Sequence, residues 1–451
     1  MSIILTNNNH ETFETRFRKA CSNFDIEELA YEHGLYQRAF RKVSPITFVF
    51  GLCRGTFNSF PSANIIAGTI AAITGRYISK QALLKRFSKA PAFLHQLLKI
   101  VVAYPLKIDA DHLDHLFSMF DNVRLLDSTV IKLHPSLAKV FPGARNQTGK
   151  QSASMKIQLC YNLSSGMLDV ISISPYTRND QKASADIFAI AKPNDLVVRD
   201  LGYFSLKVLA QMVLDGIYFI TRIPSGVSIF NPDLSPVNLL KTLKKHEGIF
   251  DRKLIVGTGE KLLLRVIAIP LPPEEVRKRR AKAKKDRNAK ANHSQEYFEL
   301  LGWTILATNV QPFTLSTEMI HAVYLIRWKS EIIFKIWKSF LLVTELPNKS
   351  STSYLKCVIY AKLILLVLFN HMHIIYNNSV YQKAGKRLSP MKLAQFLALP
   401  ILPFFAPINP GKWTFTIIEF ISYYCAYEKR KRQNMAEWIA HLIPVEEWVK
   451  K

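Results

Sequence analysis

Acidic residues are in short supply in this chain of 451: Asp and Glu number 34 against 60 Lys and Arg, a formal charge of +26. That imbalance favours a polyanionic partner and salt-sensitive association, with nucleic acid ahead of an anionic membrane surface. Cysteine is sparse as well. Cys21, Cys53, Cys160, Cys357 and Cys425 are odd in number, scattered and without a Cys-x-x-Cys pair, which argues against a cysteine-based zinc site and suggests a reducing cytoplasm. Long uninterrupted apolar runs are missing: in the greasiest stretch, Tyr354 to Phe369, Lys356 and Lys362 intervene, and only Leu363 to Phe369 is free of polar residues. That is short for a membrane span and suits a buried helix, so no membrane is expected as a partner. The opening residues MSIILTNNNHETFETRFRK lack the basic start, apolar stretch and small-residue cleavage site of a secretory signal. No glycine-rich loop ending in Lys-Ser or Lys-Thr is found, so ATP is not implied.

What is present is length and apolar content enough for two to four structural units. Residues 1–115 read as helical. Within them, Ser62 to Gly75 followed by Ser79 to Ser88 has the form helix, turn, helix: Gly75 can end the first and Ser79 can cap the second. The second helix would present Lys80, Gln81, Lys85 and Arg86, residue types suited to phosphates and base edges. An ordinary helical hairpin with a wet cationic face is the alternative. Over residues 116–224 strands take over, at Val123 to Ile131, Lys156 to Leu163, Met167 to Ser174, Asp195 to Asp200 and Ile217 to Ile223. Ser164-Ser-Gly166 makes a hairpin turn, and a helix runs from Ser205 to Leu214. These make a mixed α/β layer. Residues 225–300 interrupt it with short strands at Lys253 to Gly257 and Lys261 to Ile269, then with a run from Arg277 to Lys290 holding nine cations and one acid. So charged a run is a solvated helix or loop, inferred to touch DNA. Strand character returns at Trp303 to Asn309, in a segment spanning 301–345. Residues 346–451 read as helical and apolar, a candidate dimerisation region with a second cationic cluster at Lys429 to Arg432.

The stretch Tyr324-Leu-Ile-Arg327-Trp-Lys-Ser-Glu331-Ile-Ile-Phe-Lys335-Ile-Trp-Lys338 carries the most chemical information. At about 100° per residue, Tyr324, Arg327, Glu331 and Lys338 fall within a wedge of about 60°, with Lys335 close by. Leu325, Ile326, Ile332, Ile333, Ile336, Trp337 and Phe340 take roughly the opposite side, interrupted by Lys329. One face is built for a core and the other for an anion, yet the second carries an acid. Standing alone, the stretch reads as an amphipathic helix with i,i+4 pairs. It has company. Asp127 sits in an otherwise apolar strand, where an unpaired carboxylate is costly, so a paired Asp or a metal ligand is expected. Asp200 ends a strand beside Gly202, where backbone can approach a ligand closely, although a strand-end Asp commonly caps a helix. Together with Glu331, these carboxylates could assemble an all-oxygen site for two hard divalent ions. Such a pair suits phosphodiester chemistry, one ion activating the attacking oxygen and the other stabilising the leaving oxygen. Asp109-Ala-Asp111-His112-Leu-Asp114-His115 is metal-capable too, but it reads as a helix start with acids in its first turn. His134 beside Pro135 reads as loop.

Asp127-Ser-Thr, Asp200-Leu-Gly-Tyr203-Phe204 and Tyr-x2-Arg-x3-Glu-x6-Lys resemble the signature of DDE transposases of the IS-four family of bacterial insertion sequences. The last element is matched without a gap at Tyr324, Arg327, Glu331 and Lys338. Trp303, ahead of Thr-Ile-Leu-Ala-Thr-Asn, resembles the family tryptophan of a base-flip pocket. The resemblance covers about residues 120 to 345 and departs at Leu201, where a cation commonly follows the second Asp. It implies an α/β, RNase H-like mixed-sheet core interrupted by a β-rich insertion, between helical N- and C-terminal regions. The implied activity is DNA transposition, with cleavage and strand transfer of insertion-sequence ends by cut-and-paste through a hairpin. It also implies two Mg2+ ions, replaceable by Mn2+, on Asp127, Asp200 and Glu331. Tyr324, Arg327 and Lys338 would grip phosphates, and Trp303 would take a displaced base. The implied partners are double-stranded DNA, as transposon ends and target, and a second copy of the chain in a synaptic complex, on the nucleoid of a bacterial cytoplasm. A nuclease without strand transfer and a catalytically silent DNA-binding descendant are the competing possibilities.

Overall fold

The computed structural model describes residues 13–40, 42–56, 61–104, 119–145, 148–285, 294–340, 351–398 and 417–427. The cluster from Asp109 to His115, positions 286–290 of the basic run and the cluster from Lys429 to Arg432 lie outside the described residues.

Ten strands form one sheet. They are β1 (Val123–Leu133), β2 (Pro142–Arg145), β3 (Gln151–Asn162), β4 (Leu168–Pro175), β5 (Leu196–Arg199), β6 (Tyr218–Arg222), β7 (Ile229–Phe230), β8 (Phe250–Val256), β9 (Leu262–Pro270) and β10 (Trp303–Thr308). All four residues of β5, three apolar and Arg199, are buried, as expected where both faces of a strand are covered. β5 lies parallel to β1 on one side and to β6 on the other. β1 pairs antiparallel with β3, and β3 with β4. The order β4-β3-β1-β5-β6, antiparallel and then parallel, is the RNase H-like arrangement. The turn between β3 and β4 needs a left-handed residue, and Gly166 supplies it at φ 69°.

The segment expected to interrupt this layer prolongs it. β10 pairs antiparallel with β6 and with β9, β9 with β8, and β8 with β7. The open edge of β6 is thereby covered, which removes a row of unpaired backbone groups.

Helices flank the sheet as their end signals require. Ala63–Thr74 starts at Ser62, whose side chain accepts from the Ile65 amide, and stops at Gly75 with φ 67°. Ser79 caps Lys80–Ala103 in the same way. Thr352–Ala384 runs for 33 residues, well beyond the apolar stretch legible in the sequence. It is long and apolar enough to cross a membrane, yet 72% of its most apolar window is buried inside the protein, where it packs on Lys80–Ala103. One hydrophobic cluster joins these two helices to Ile131, Met155 and Ile157 of the sheet. All five cysteines are free and buried.

A buried ion network fixes the strand order. Arg124 of β1 donates from Nε to Asp169 of β4 at 2.7 Å and from Nη1 to Asp195, the residue before β5. Asp195 is fully buried, and it also accepts from the Lys192 amide at 2.7 Å and from Asn122 at 2.8 Å. Burial pushes the Asp169 carboxyl up, against the lowering effect of Arg124. Asp195→Ala would leave Arg124 Nη1, the Lys192 amide and Asn122 Nδ2 without their acceptor in a dry environment, Asp169 remaining as the partner of Arg124 Nε. Its expected effect is a loss of about 3–5 kcal/mol in stability, read from denaturant titration, the usual consequence of removing one partner of a buried pair.

Candidate active site

Alternation along the strands decides where the two aspartates point. Leu125 of β1 and Val198 of β5 are buried in one cluster with Ile320, Val323 and Tyr324 of the helix Thr317–Ile326. Side chains two residues on share that face, so Asp127 and Asp200 point toward the same helix. The parallel register sets Leu126 beside Arg199, which brings the two carboxylates level. Asp200 precedes the short turn Leu201–Tyr203, but its side chain makes no capping hydrogen bond there. The carboxylate is left for other work.

The signature stretch is not one continuous helix. It is divided at Arg327 into Thr317–Ile326 and Trp328–Phe340, although Arg327 itself keeps helical dihedrals at φ −48° and ψ −29°. Phe334, Ile336 and Trp337 are core, whereas Ile332, expected on the core side, is 40% exposed. On the face expected to meet an anion, Tyr324 is 5% exposed and Arg327 8%, whereas Lys335 and Lys338 are open to solvent. Tyr324 donates from its hydroxyl to Asp200 at 3.3 Å. Arg327 faces all three carboxylates: Nη1 donates to Asp127 Oδ2 at 3.1 Å, Nη2 lies 3.6 Å from Glu331 Oε1, and Nε lies 4.0 Å from Asp200 Oδ1. Ser330, fully buried, has its one hydroxyl proton within reach of two acceptors, Asp127 Oδ2 at 2.5 Å and the Arg327 carbonyl at 2.7 Å. The Ser128 amide donates to Asp127 Oδ1 at 2.8 Å.

Electrostatics follow from this packing. Burial raises the Asp127 carboxyl above its usual range, and the nearby Asp200 adds to that, while Ser330, Arg327 and the Ser128 amide pull it back. Burial pushes the Tyr324 hydroxyl up to about 12, with Asp200 acting in the same direction. For Arg327 burial opposes the charge, but Asp200, Tyr324 and Asp127 outweigh it and hold its pKa above the ordinary value.

The reverse face of the sheet holds residues that the sequence did not flag. Asp180, in the short helix Asp180–Ala183, accepts from Ser128 Oγ at 2.8 Å, Lys156 Nζ at 3.0 Å and Gln158 Nε2 at 3.0 Å. A Cβ at Gly202 would stand 3.0 Å from Asp180 Oδ2, so the glycine lets the Asp200 turn lie against this hub. Arg199, fully buried, donates to Ser184 Oγ at 2.5 Å, and Ser184 donates to the Tyr203 carbonyl at 2.8 Å. Burial lowers the Arg199 pKa to about 10. Asp180 reads in sequence as a polar residue after a loop; only its contacts reveal a role. Ser330 had a visible clue, its place three residues after Arg327 and next to Glu331.

The remaining expected site residues are dispersed. Lys338 and Lys335 are exposed farther along their helix. Trp303 is half-buried at the start of β10 opposite Pro270. Its carbonyl accepts from Arg279 at 3.4 Å, and Arg279 also donates to Thr304 Oγ1 at 3.2 Å. The basic run begins as the helix Pro273–Lys284, where Arg277, Lys278, Lys282 and Lys284 are exposed. Lys80, Gln81 and Lys85 are exposed on their helix, but Arg86 is half-buried 5.5 Å from the Tyr36 ring.

A mixed sheet in this order, with a carboxylate on the first strand, one at the end of the fourth core strand and a third on a helix packed over them, defines an RNase H-like catalytic core. The chain belongs to the transposase DDE domain family, whose model matches residues 118–351. It is therefore an enzyme of DNA cleavage and strand transfer. The transposase of insertion sequence element IS231D from Bacillus thuringiensis subsp. finitimus is 28% identical over 390 residues, covering 82% of this chain and 81% of that protein. The IS231C transposase from Bacillus thuringiensis subsp. berliner is 29% identical, covering 81% and 80%. The IS1151 transposase of Clostridium perfringens is 26% identical, covering 74% and 76%. The solved Drosophila P element transposase strand transfer complex aligns over 94% of this chain, but a TM-score of 0.21 at 11% identity bears on neither fold nor function.

Domains of this family use divalent metal ions. The residues here fit such ions in kind, since three carboxylates, an all-oxygen set, already converge on one cationic group, the Arg327 guanidinium. They do not yet fit in spacing: among the described residues no three acidic, His or Cys side chains stand close enough to ligate one ion.

The raised Asp127 pKa gives a stability test. An acid whose folded pKa lies above its unfolded value contributes stability below the unfolded pKa, and that contribution is lost as pH rises through the folded pKa. Asp127→Asn is therefore expected to unfold at a higher temperature than wild type at neutral pH. The difference should vanish below about pH 4, near the ordinary carboxylate pKa; scanning calorimetry across that range measures it.

Proposed function

We propose that this transposase moves its element by cut-and-paste through a hairpin intermediate, with Asp127, Asp200 and Glu331 as its metal-binding carboxylates. The observation that carries this reading is the convergence of those three side chains on Arg327 from two strands and a helix. Two divalent ions there, Mg2+ or Mn2+, would activate the attacking oxygen and stabilise the leaving one. Tyr324, Arg327 and Lys338 bind phosphates of the transposon end, a role that their donors and charge support. Lys80, Gln81 and Lys85 meet DNA from the N-terminal helix, with Arg86 behind them, and the exposed cations of Pro273–Lys284 add contacts. Two copies of the chain bring two ends together in a synaptic complex, on the nucleoid of a bacterial cytoplasm. The domain limits follow the same plan: 1–115 for end binding, 116–224 and 301–345 for the core, 225–300 for the insertion and 346–451 for dimerisation.

Because the carboxylates hold metal and not phosphate, Asp127→Asn, Asp200→Asn and Glu331→Gln should each lower Mg2+-dependent cleavage of the element's own ends by at least about a thousandfold while end binding stays near wild type. Denaturing gels and gel-shift titration read the two. Near-normal cleavage by any one of them would remove that residue from the ligand set.

Trp303 supports the hairpin step. Turning one strand back on the other requires an unstacked base, and an aromatic face recovers about 1–3 kcal/mol by stacking. Trp303→Ala should bind ends and make the first nick, then accumulate nicked DNA in place of hairpins. A mutant that melts early and loses every step together would mark Trp303 as a packing residue instead.

A further inference from the structure

Resting on this ligand assignment, we propose that Arg327 and Ser330 form a latch that keeps Asp127 from metal until DNA phosphate draws the guanidinium away. The three carboxylates are not held alike. Asp127 has 15% of its side chain exposed, and both of its oxygens are engaged: Oδ1 by the Ser128 amide at 2.8 Å, Oδ2 by Ser330 Oγ at 2.5 Å and by Arg327 Nη1 at 3.1 Å. Asp200 and Glu331 are 39% and 37% exposed, and Arg327 reaches them only at 4.0 and 3.6 Å. Two ligands thus stay reachable from solvent while the third is covered.

The latch is also unfinished on one side. Arg327 Nε is buried with no hydrogen-bond partner, so the guanidinium has a donor that a better acceptor could claim. A phosphate oxygen is such an acceptor, and a planar fork suits it. Moving the guanidinium to a phosphate uncovers Asp127 Oδ2. Ser330 can then keep its bond to the Arg327 carbonyl while releasing the carboxylate. Metal binding and end binding become linked, and linkage of this kind is reciprocal.

The test uses full-length, DNA-free protein and Mn2+ alone, with bound ion read by electron paramagnetic resonance. Arg327→Met is expected to bind Mn2+ about tenfold more tightly than wild type, within the usual range of such couplings, while its affinity for transposon ends falls. Misfolding would weaken both, so the opposite signs are diagnostic. Ser330→Ala removes the second contact to Asp127 and should tighten Mn2+ binding by a smaller factor. Wild-type or weaker Mn2+ binding by both variants, where adding Asp127→Asn still weakens it, overturns the latch and leaves the ligand assignment standing. If adding Asp127→Asn to Arg327→Met leaves Mn2+ binding untouched, Asp127 is no ligand and the assignment falls, taking the latch with it.

Discussion

Three carboxylates directed at one point repel one another, and a site built from them needs a cation at its centre whenever no metal is there. Arg327 meets that need. Its fork presents donors in several directions from one plane, so a single side chain can face Asp127, Asp200 and Glu331 together. A lysine ammonium at the same position would be a single point charge and could not face three acids from different elements in the same way. The boundary between Thr317–Ile326 and Trp328–Phe340 falls at this residue, and Tyr324 and Arg327 are both buried against the sheet.

Holding the acids together also requires that their strands not slide. The reverse face of the sheet supplies that rigidity through polar contacts directly behind Asp127 and Asp200. Asp180 ties Ser128, the neighbour of Asp127, to Lys156 and Gln158 of β3 and lies against Gly202. Arg199, through Ser184, fixes the carbonyl of Tyr203 in the turn that follows Asp200. Because strands alternate, Asp127 and Asp200 each have a neighbour on the opposite face, Ser128 and Arg199, and those neighbours carry the anchoring bonds. Buried polar groups of this kind are tolerated only when paired, and their pairing fixes one arrangement of the strand ends.

The large positive charge divides into two populations. Arg124, Arg199, Arg265 and Arg327 are buried and serve the fold or the site. Lys80, Lys85, Arg277, Lys282 and Lys284 are exposed and can meet a polyanion, as can Lys278 at the cost of its ion pair with Glu274. Each cation that neutralises a DNA phosphate releases counterions and steepens the salt dependence of association.

Local rules settled much of the architecture from sequence. Alternating and continuous apolar runs placed β1, β3, β4, β5, β6, β8, β9 and β10; Gly75 and Ser79 marked helix ends, because caps and turns depend on a few neighbouring residues. Three acids in strand and helix contexts, together with the spacing from Tyr324 to Lys338, pointed to the site. Its assembly was beyond that reach. Whether Arg327 faces solvent or three carboxylates depends on which strands are neighbours and on where the helix packs over them, long-range outcomes that a 100° wheel cannot contain. The pairing of the insertion with β6 through β10, the inward turn of Arg86 and the roles of Asp180 and Ser330 likewise came from residues far apart in the chain. The sequence determined which groups could do the chemistry, since composition and period are local; tertiary structure alone decided which groups meet, since contact between distant residues exists only once the sheet is ordered.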